Sequence, residues 1–265
     1  MPKDLDYLGH LARESTRFHD AIQLATPQAR VPSCPDWNAD DLLWHLTEVQ
    51  FFWATVVGEK LPADEAEKRK PERPADRAGL LALYQQASRY LGQVLASASP
   101  DTYAWTWSDD QTVGFIRRRQ AHEALIHRVD AELAADSRTA LDPQLAADGA
   151  DEVLRVMYGG VPDWGTFSPD PGRTVRLRAT DTGDSWVVTL GRFTGTDPDD
   201  GTAHDLPDLR AAEQDSGEPA TAEISGAAGD LDCWLWHRPP LAAIERSGDP
   251  DVLASFDTTI GPGIN

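Results

Sequence analysis

The sequence is poor in cysteine and contains no long apolar segments. Its two cysteines, Cys34 and Cys233, lie far apart and form no C-x-x-C pair, so a disulfide framework is not supported. No stretch approaches the ~18 consecutive apolar residues that a membrane-spanning helix needs. The N-terminus also lacks the apolar core of a signal peptide. We therefore expect a cytoplasmic protein that does not enter a membrane.

Basic charge is also scarce. The sequence has 24 lysine and arginine residues and 44 aspartate and glutamate residues, which gives a formal net charge of -20. Because this field repels phosphate backbones, we expect no binding to nucleic acid. Hydrophobic residues make up 40% of the 265 residues, which is enough for the core of one large domain or of two ordinary ones.

The first part of the chain, residues 1–140, carries the apolar periodicity of helices. In residues 4–25 apolar side chains recur at spacings of three and four, which form one helical stripe. Asn38 is the predicted N-cap of a second helix, which Gly58 is predicted to end. Further helices are predicted near residues 80–94 and 112–135, with proline-bearing loops at residues 26–37 and 61–76. Together these patterns predict a four-helix bundle.

The remaining chain, residues 141–265, mixes short helical and strand-like segments. Alternating or β-branched runs predict strands near residues 174–179, 186–190, 220–224 and 241–246, and apolar spacing predicts helices near residues 145–157, 227–237 and 250–256. An acidic segment with glycine and proline, residues 194–208, is predicted to be a mobile loop. The whole chain is thus predicted to be an α+β protein, a helical bundle followed by a small α+β domain.

Glu123 and His127 are the first candidates for chemistry. Four residues apart on a helix, they lie on one face one turn apart, so a carboxylate oxygen and an imidazole nitrogen can reach one ion. Such a pair alone is common on exposed helices as a weak hydrogen-bonded pair. His45 lies on the predicted inner face of the second helix, and buried polar groups need partners. A shared divalent metal, zinc or another ion, would satisfy all three residues.

Three segments resemble a known family. Residues 31–54 (VPSCPDWNADDLLWHLTEVQFFWA) and residues 121–134 (AHEALIHRVDAELA) resemble the two signatures of the mycothiol-dependent maleylpyruvate isomerase family. Residues 226–256 are similar to the C-terminal domain of that family. Its members combine a metal-binding bundle, similar to DinB/YfiT-like proteins, with a smaller C-terminal domain.

The resemblance implies a function. It implies that His45, Glu123 and His127 are both the zinc ligands and the catalytic centre, and that mycothiol, the thiol of actinobacteria, is the cosubstrate. A zinc-bound thiolate would attack a small electrophile, and the enzyme would be an isomerase or an S-transferase. A hydrolase that uses zinc-bound water and a non-catalytic metal-containing sensor are the alternatives. We expect a monomer or a homodimer.

Four further residues are candidates for the substrate pocket. Asp130, three residues after His127, either orients that histidine as an acceptor or is an ordinary surface carboxylate. Arg119 belongs to a run of three arginines, one of which could bind a substrate carboxylate, while two of the three are expected on the solvated helix surface. Trp105 and Trp107 lie in a loop just before the ligand-bearing helix and could line a pocket, although aromatic residues are more often part of a core.

Overall fold

The computed structural model of the protein describes residues 5–262. These residues divide into two compact units, residues 5–139 and residues 140–262. The first unit is helical and the second contains a sheet, which confirms the predicted α+β class. Within the described part of the chain, no helix is long and apolar enough to cross a membrane.

Four long helices form the N-terminal unit, as predicted. Helix α1 packs against α4 and α5, and α2 packs against the same two helices, so that the four close into a bundle. Side chains of α1, α2 and α4 meet in an apolar core that includes Phe18, Leu42 and Tyr84. The elements in chain order are α1 (Tyr7–Leu24), β1 (Arg30–Val31), β2 (Cys34–Asn38), α2 (Ala39–Glu59), α3 (Ala63–Glu67), α4 (Arg77–Ser97) and α5 (Val113–Ala134).

The segment before α2 is a hairpin, whereas the sequence predicted a loop. Strands β1 and β2 pair in antiparallel fashion, with Val31 opposite Cys34. Its prolines, Pro32 and Pro35, lie at the turn and on an exposed strand, where a missing N–H does little harm. Val31 is fully buried in the bundle core and anchors the hairpin there. The prediction of an irregular loop, which was based on proline content, is therefore wrong for the part of this segment that forms the hairpin.

Helix α2 begins as predicted but ends two residues later. The side chain of Asn38 accepts hydrogen bonds from the N–H groups of Asp40 (2.9 Å) and Asp41 (3.0 Å), and Asp41 accepts one from the N–H of Asn38 (3.1 Å). The helix terminates at Lys60, which adopts the left-handed conformation with φ 57°. Gly58 instead permits close packing on α4, because a Cβ there would come within 2.8 Å of the Tyr90 hydroxyl.

Helix α5 is buried on nearly all sides, more than the single inner stripe that the sequence predicted. Its Arg128 is fully buried and donates to Glu14 of α1 (2.8 Å) and to Glu132 (3.0 Å). Thr139 donates to the same Glu132 from its backbone N–H (2.8 Å) and from its hydroxyl (2.7 Å). A buried guanidinium must be paired, and the partner that Glu14 provides lies on α1. This charged network therefore stabilises the contact between α5 and α1.

The C-terminal unit is a five-stranded sheet with helices. The strand order is β5-β4-β3-β6-β7, and all neighbours are antiparallel except β3 and β6. A π-helical turn at Val153–Met157 continues α6. The elements are α6 (Pro143–Glu152), β3 (Gly165–Ala179), β4 (Ser185–Thr196), β5 (Ala203–Ala211), β6 (Ala222–Gly226), α7 (Ala228–Leu235), β7 (Glu245–Gly248) and α8 (Pro250–Ile260).

The acidic segment predicted as a mobile loop is largely strand. Strand β4 extends to Thr196 and pairs with β5 from Ala203 onward, which leaves a short turn between them. Within β5 only Leu209 is buried, so the strand has no apolar alternation from which it could be predicted. Pro207 is tolerated because β5 is the edge of the sheet.

The capping box of α2 gives the first testable prediction. We expect Asn38→Ala to lower the free energy of unfolding by about 1 kcal/mol, because two N–H groups lose their acceptor. Urea denaturation followed by circular dichroism measures the change. Asn38→Asp retains a capping oxygen and should stay close to the wild type. Equal losses in the two variants would contradict the capping role.

Candidate metal centre

Three side chains from two helices converge in the N-terminal unit. His45 extends from α2, and Glu123 and His127 extend from adjacent turns of α5. The Nε2 atom of His127 lies 3.1 Å from Oε1 of Glu123, and that of His45 lies 3.6 Å from the same oxygen. One potential ligand atom of each residue lies within 4.8 Å of the other two. Among the described residues, this is the one such group of histidine, cysteine or acidic residues.

The group lies at the rim of the bundle rather than in its core. The side chains of His45, Glu123 and His127 are 28%, 18% and 8% exposed. The sequence placed His45 on an inner stripe between apolar residues, but the structure leaves this ring half-buried. The side of the group formed by His45 is therefore partly open to solvent, while His127 is packed.

Each of the three side chains is held by a further residue. The Nδ1–H of His127 donates to Oδ2 of Asp130 at 2.9 Å, and the Asp130 side chain is fully buried. Arg119 donates to Oε2 of Glu123 at 3.0 Å, which leaves Oε1 toward the two imidazoles. The indole ring of Trp37 packs on the ring of His45, with centroids 4.6 Å apart.

The charges of the group shift two pKa values. Burial would raise the pKa of Glu123, but contacts with His127 and His45 and the positive charge of Arg119 outweigh it and hold the pKa well below its usual range. Burial would lower the pKa of His127, but hydrogen bonds to Asp130 and Glu123 raise it to about 9. Without a metal, Glu123 is therefore anionic and His127 carries a proton on each nitrogen at neutral pH.

The donor set fits a divalent metal ion. Two imidazole nitrogens and one carboxylate oxygen face one another, and three protein ligands with an open position are typical of catalytic zinc sites. The hydrogen bond between His127 and Asp130 directs Nε2 toward the group, as the outer partner of a metal-bound histidine does. Other divalent ions accept the same donors.

The other predicted site residues divide into two sets. Asp130 and Arg119 contact the group directly: Asp130 is buried and is not an ordinary surface carboxylate, and Arg119 pairs with Glu123. The two tryptophans form the second set, and they contact aromatic residues of the helices that carry the group. Trp105 stacks on Trp53 of α2, and Trp107 packs edge-on against Phe115 of α5. Trp53 and Phe115 are each eight residues from a metal-ligand candidate, which is ~12 Å along a helix.

The arginine run is less exposed than predicted. Arg117 donates to the backbone carbonyl groups of Leu95 (2.8 Å) and Ala98 (2.7 Å), which lie at the end of α4. Arg118 and Arg119 are both buried. The expectation that two of the three arginines lie on a solvated surface is therefore wrong, because α5 is packed on nearly all sides.

One residue at the site escaped prediction from the sequence. The hydroxyl of Ser33 donates to Oδ1 of Asp130, 97 positions away in the chain. No local pattern marks Ser33, because a serine in a turn forms many kinds of hydrogen bond. Its place in the first family-like segment was the available signal.

Comparison with known proteins identifies both units. The model of the "Mycothiol maleylpyruvate isomerase N-terminal domain" matches residues 8–132, and that of the "MDMPI C-terminal domain" matches residues 144–255. No curated protein matches the chain significantly.

Two crystal structures of the mycothiol-dependent maleylpyruvate isomerase, one of them a histidine-to-alanine mutant, share the fold. Their TM-scores are 0.59 for the mutant and 0.57 for the other structure. Both are 11% identical to this chain and cover 92% of it and 93% of their own length. At this identity the likeness establishes the fold alone.

The raised pKa of His127 predicts a pH dependence of the metal-free protein. Because the folded state holds this proton more tightly than the unfolded state, its stabilisation is complete below pH 6.5 and is lost as the pH passes about 9. Urea unfolding of chelator-treated protein across this range should show a falling free energy of unfolding. His127→Gln should remove this part of the slope. An identical slope in both proteins would contradict the assignment.

Proposed function

This chain belongs to the mycothiol-dependent maleylpyruvate isomerase family, and on that basis we propose that it is a metal-dependent enzyme that uses mycothiol. Its reaction is the isomerisation of a small electrophile or the transfer of the thiol to it. We assign the metal-binding bundle to residues 1–140 and the second domain to residues 141–265. The family membership supports the thiol, and the geometry of the bundle supports the metal.

The observation that carries the proposal is the convergence of His45, Glu123 and His127. These residues would hold a divalent metal, zinc or another ion, through two imidazole nitrogens and one carboxylate oxygen. When bound, such a metal lowers the pKa of a thiol that reaches it, so that the thiolate forms near neutral pH.

The protein's own residues prepare this site. Asp130 keeps a proton on Nδ1 of His127, which leaves Nε2 as the nitrogen that faces the site. Arg119 holds one oxygen of Glu123 and keeps this carboxylate anionic. The exposed part of the His45 ring is where the thiol and the electrophile would approach, while Trp37 packs on the same ring.

The same arrangement serves two reactions. In an isomerase the sulfur adds to a conjugated carbon, the former double bond rotates, and the sulfur leaves again with its electron pair, so the thiol is recovered. In a transferase the carbon–sulfur bond persists in the product. The residues that hold the metal are the same in both cases, so the identity of the electrophile decides the outcome.

Metal binding gives a direct test. We expect one zinc ion per chain, and we expect His45→Ala to weaken zinc binding by more than ~100-fold, because loss of a ligand should exceed the effect of an outer partner. Competition with a chromogenic chelator measures the affinity. The control is His19→Ala, because His19 lies on α1 outside the group and its side chain is also partly buried, at 17% exposed. Unchanged stoichiometry and affinity in His45→Ala would overturn the site.

Turnover distinguishes the enzyme from its alternatives. The zinc-loaded protein is incubated with mycothiol and a panel of electrophiles that includes maleylpyruvate, and the products are identified by mass spectrometry. Isomerised product or a thiol conjugate is the expected result. Turnover without thiol would replace the proposal with a hydrolase, and tight ligand binding without any turnover would replace it with a sensor.

A further inference from the structure

The tip of the β1–β2 hairpin is connected to the metal-site histidine on α5. Ser33 lies in the turn between the two strands, and its hydroxyl donates to Oδ1 of Asp130. The other oxygen of Asp130 accepts the Nδ1–H of His127 at 2.9 Å. Each oxygen of this fully buried carboxylate thus has a donor, one from the hairpin and one from the site.

The position of the Ser33 hydroxyl is fixed by the hairpin backbone. Val31, two residues earlier, is fully buried in the bundle core. At the base of the hairpin, the N–H of Ala39 donates to the carbonyl of Ala29 at 2.9 Å. Across the hairpin, Arg30 donates to the carbonyl of Pro35 at 3.0 Å. The serine is therefore presented to Asp130 by a segment that is anchored on both sides of the turn.

The direction of the Asp130 carboxylate controls the direction of the His127 ring. A carboxylate with one donor can rotate to improve its other contacts, whereas a donor on each oxygen fixes its plane. Loss of the serine hydroxyl would also remove a hydrogen bond from a buried carboxylate, to which the side chain would respond by moving. Either response turns Nε2 of His127 away from Glu123 and His45.

We propose that Ser33 is a positioning residue for the metal centre: through Asp130 it fixes the orientation of His127 and thereby sets the affinity for the metal. This inference rests on the proposed metal function of His45, Glu123 and His127. The same hairpin also carries Trp37, whose ring packs on His45, so one short element contacts the surroundings of both histidines.

The test compares variants that differ in the hydroxyl. Ser33→Thr and Ser33→Val have nearly the same shape, and only threonine can donate to Asp130; Ser33→Ala removes the hydroxyl with the least bulk. Ser108→Ala is the control, because Ser108 is a half-buried loop serine whose oxygen accepts from the N–H of Asp110. Zinc affinity is measured by chelator competition, and the cobalt(II) absorption spectrum reports the geometry of the ligands.

The expected result is a zinc affinity about 10–100-fold weaker in Ser33→Ala and Ser33→Val, the range typical for loss of an outer partner. Their cobalt spectra should also change, whereas Ser33→Thr and Ser108→Ala should match the wild type. Wild-type affinity in Ser33→Val would overturn the inference and leave the metal site intact. Equal weakening in the threonine and valine variants would assign Ser33 a purely structural role. Failure of the wild type itself to bind zinc would overturn the proposed function as well.

Discussion

A carboxylate withdrawn from water needs compensating charge or hydrogen bonds, and Glu123 receives them from three directions. Arg119 pairs with one oxygen, while His127 and His45 face the other. Because these partners come from both α2 and α5, the site exists only where the two helices pack together. The free energy of keeping Glu123 anionic and mostly buried therefore depends on the same helix contact that forms the bundle.

A second face of α5 is fixed by another set of charges. Arg128 follows His127 directly, so its side chain leaves the helix about 100° away. It is fully buried against Glu14 of α1 and Glu132. Helix α5 is thus held by ionic contacts on two faces, and its rotation about its own axis would break one set or the other. This restraint explains how a helix rich in charged residues can hold the candidate metal ligands at a defined angle.

Sequence reasoning predicted those features that depend on the spacing of residues close together in the chain. Glu123 and His127 are four residues apart, and Asn38 precedes acidic residues, so helix geometry indicated that the pair shares one face of α5 and that Asn38 caps α2. No local sequence pattern predicted strand β5 or the contact of Ser33. The first is an edge strand held by pairing with β4, and the second meets Asp130 through tertiary folding. Trp107 was predicted to lie near α5 from its position in the sequence, and it packs against Phe115 in the first turn of that helix.

The formal charges around the site support the proposal that it binds an anionic sulfur. Around the site, Arg119 balances the negative charge of Glu123, and Asp130 contributes one further negative charge. With both histidines neutral, as metal ligation requires, a divalent ion would leave one positive charge in excess. One thiolate neutralises that charge, and a neutral thiol does not. In a mostly buried site, where charge is poorly screened, this balance would favour ionisation of the thiol over binding of its neutral form.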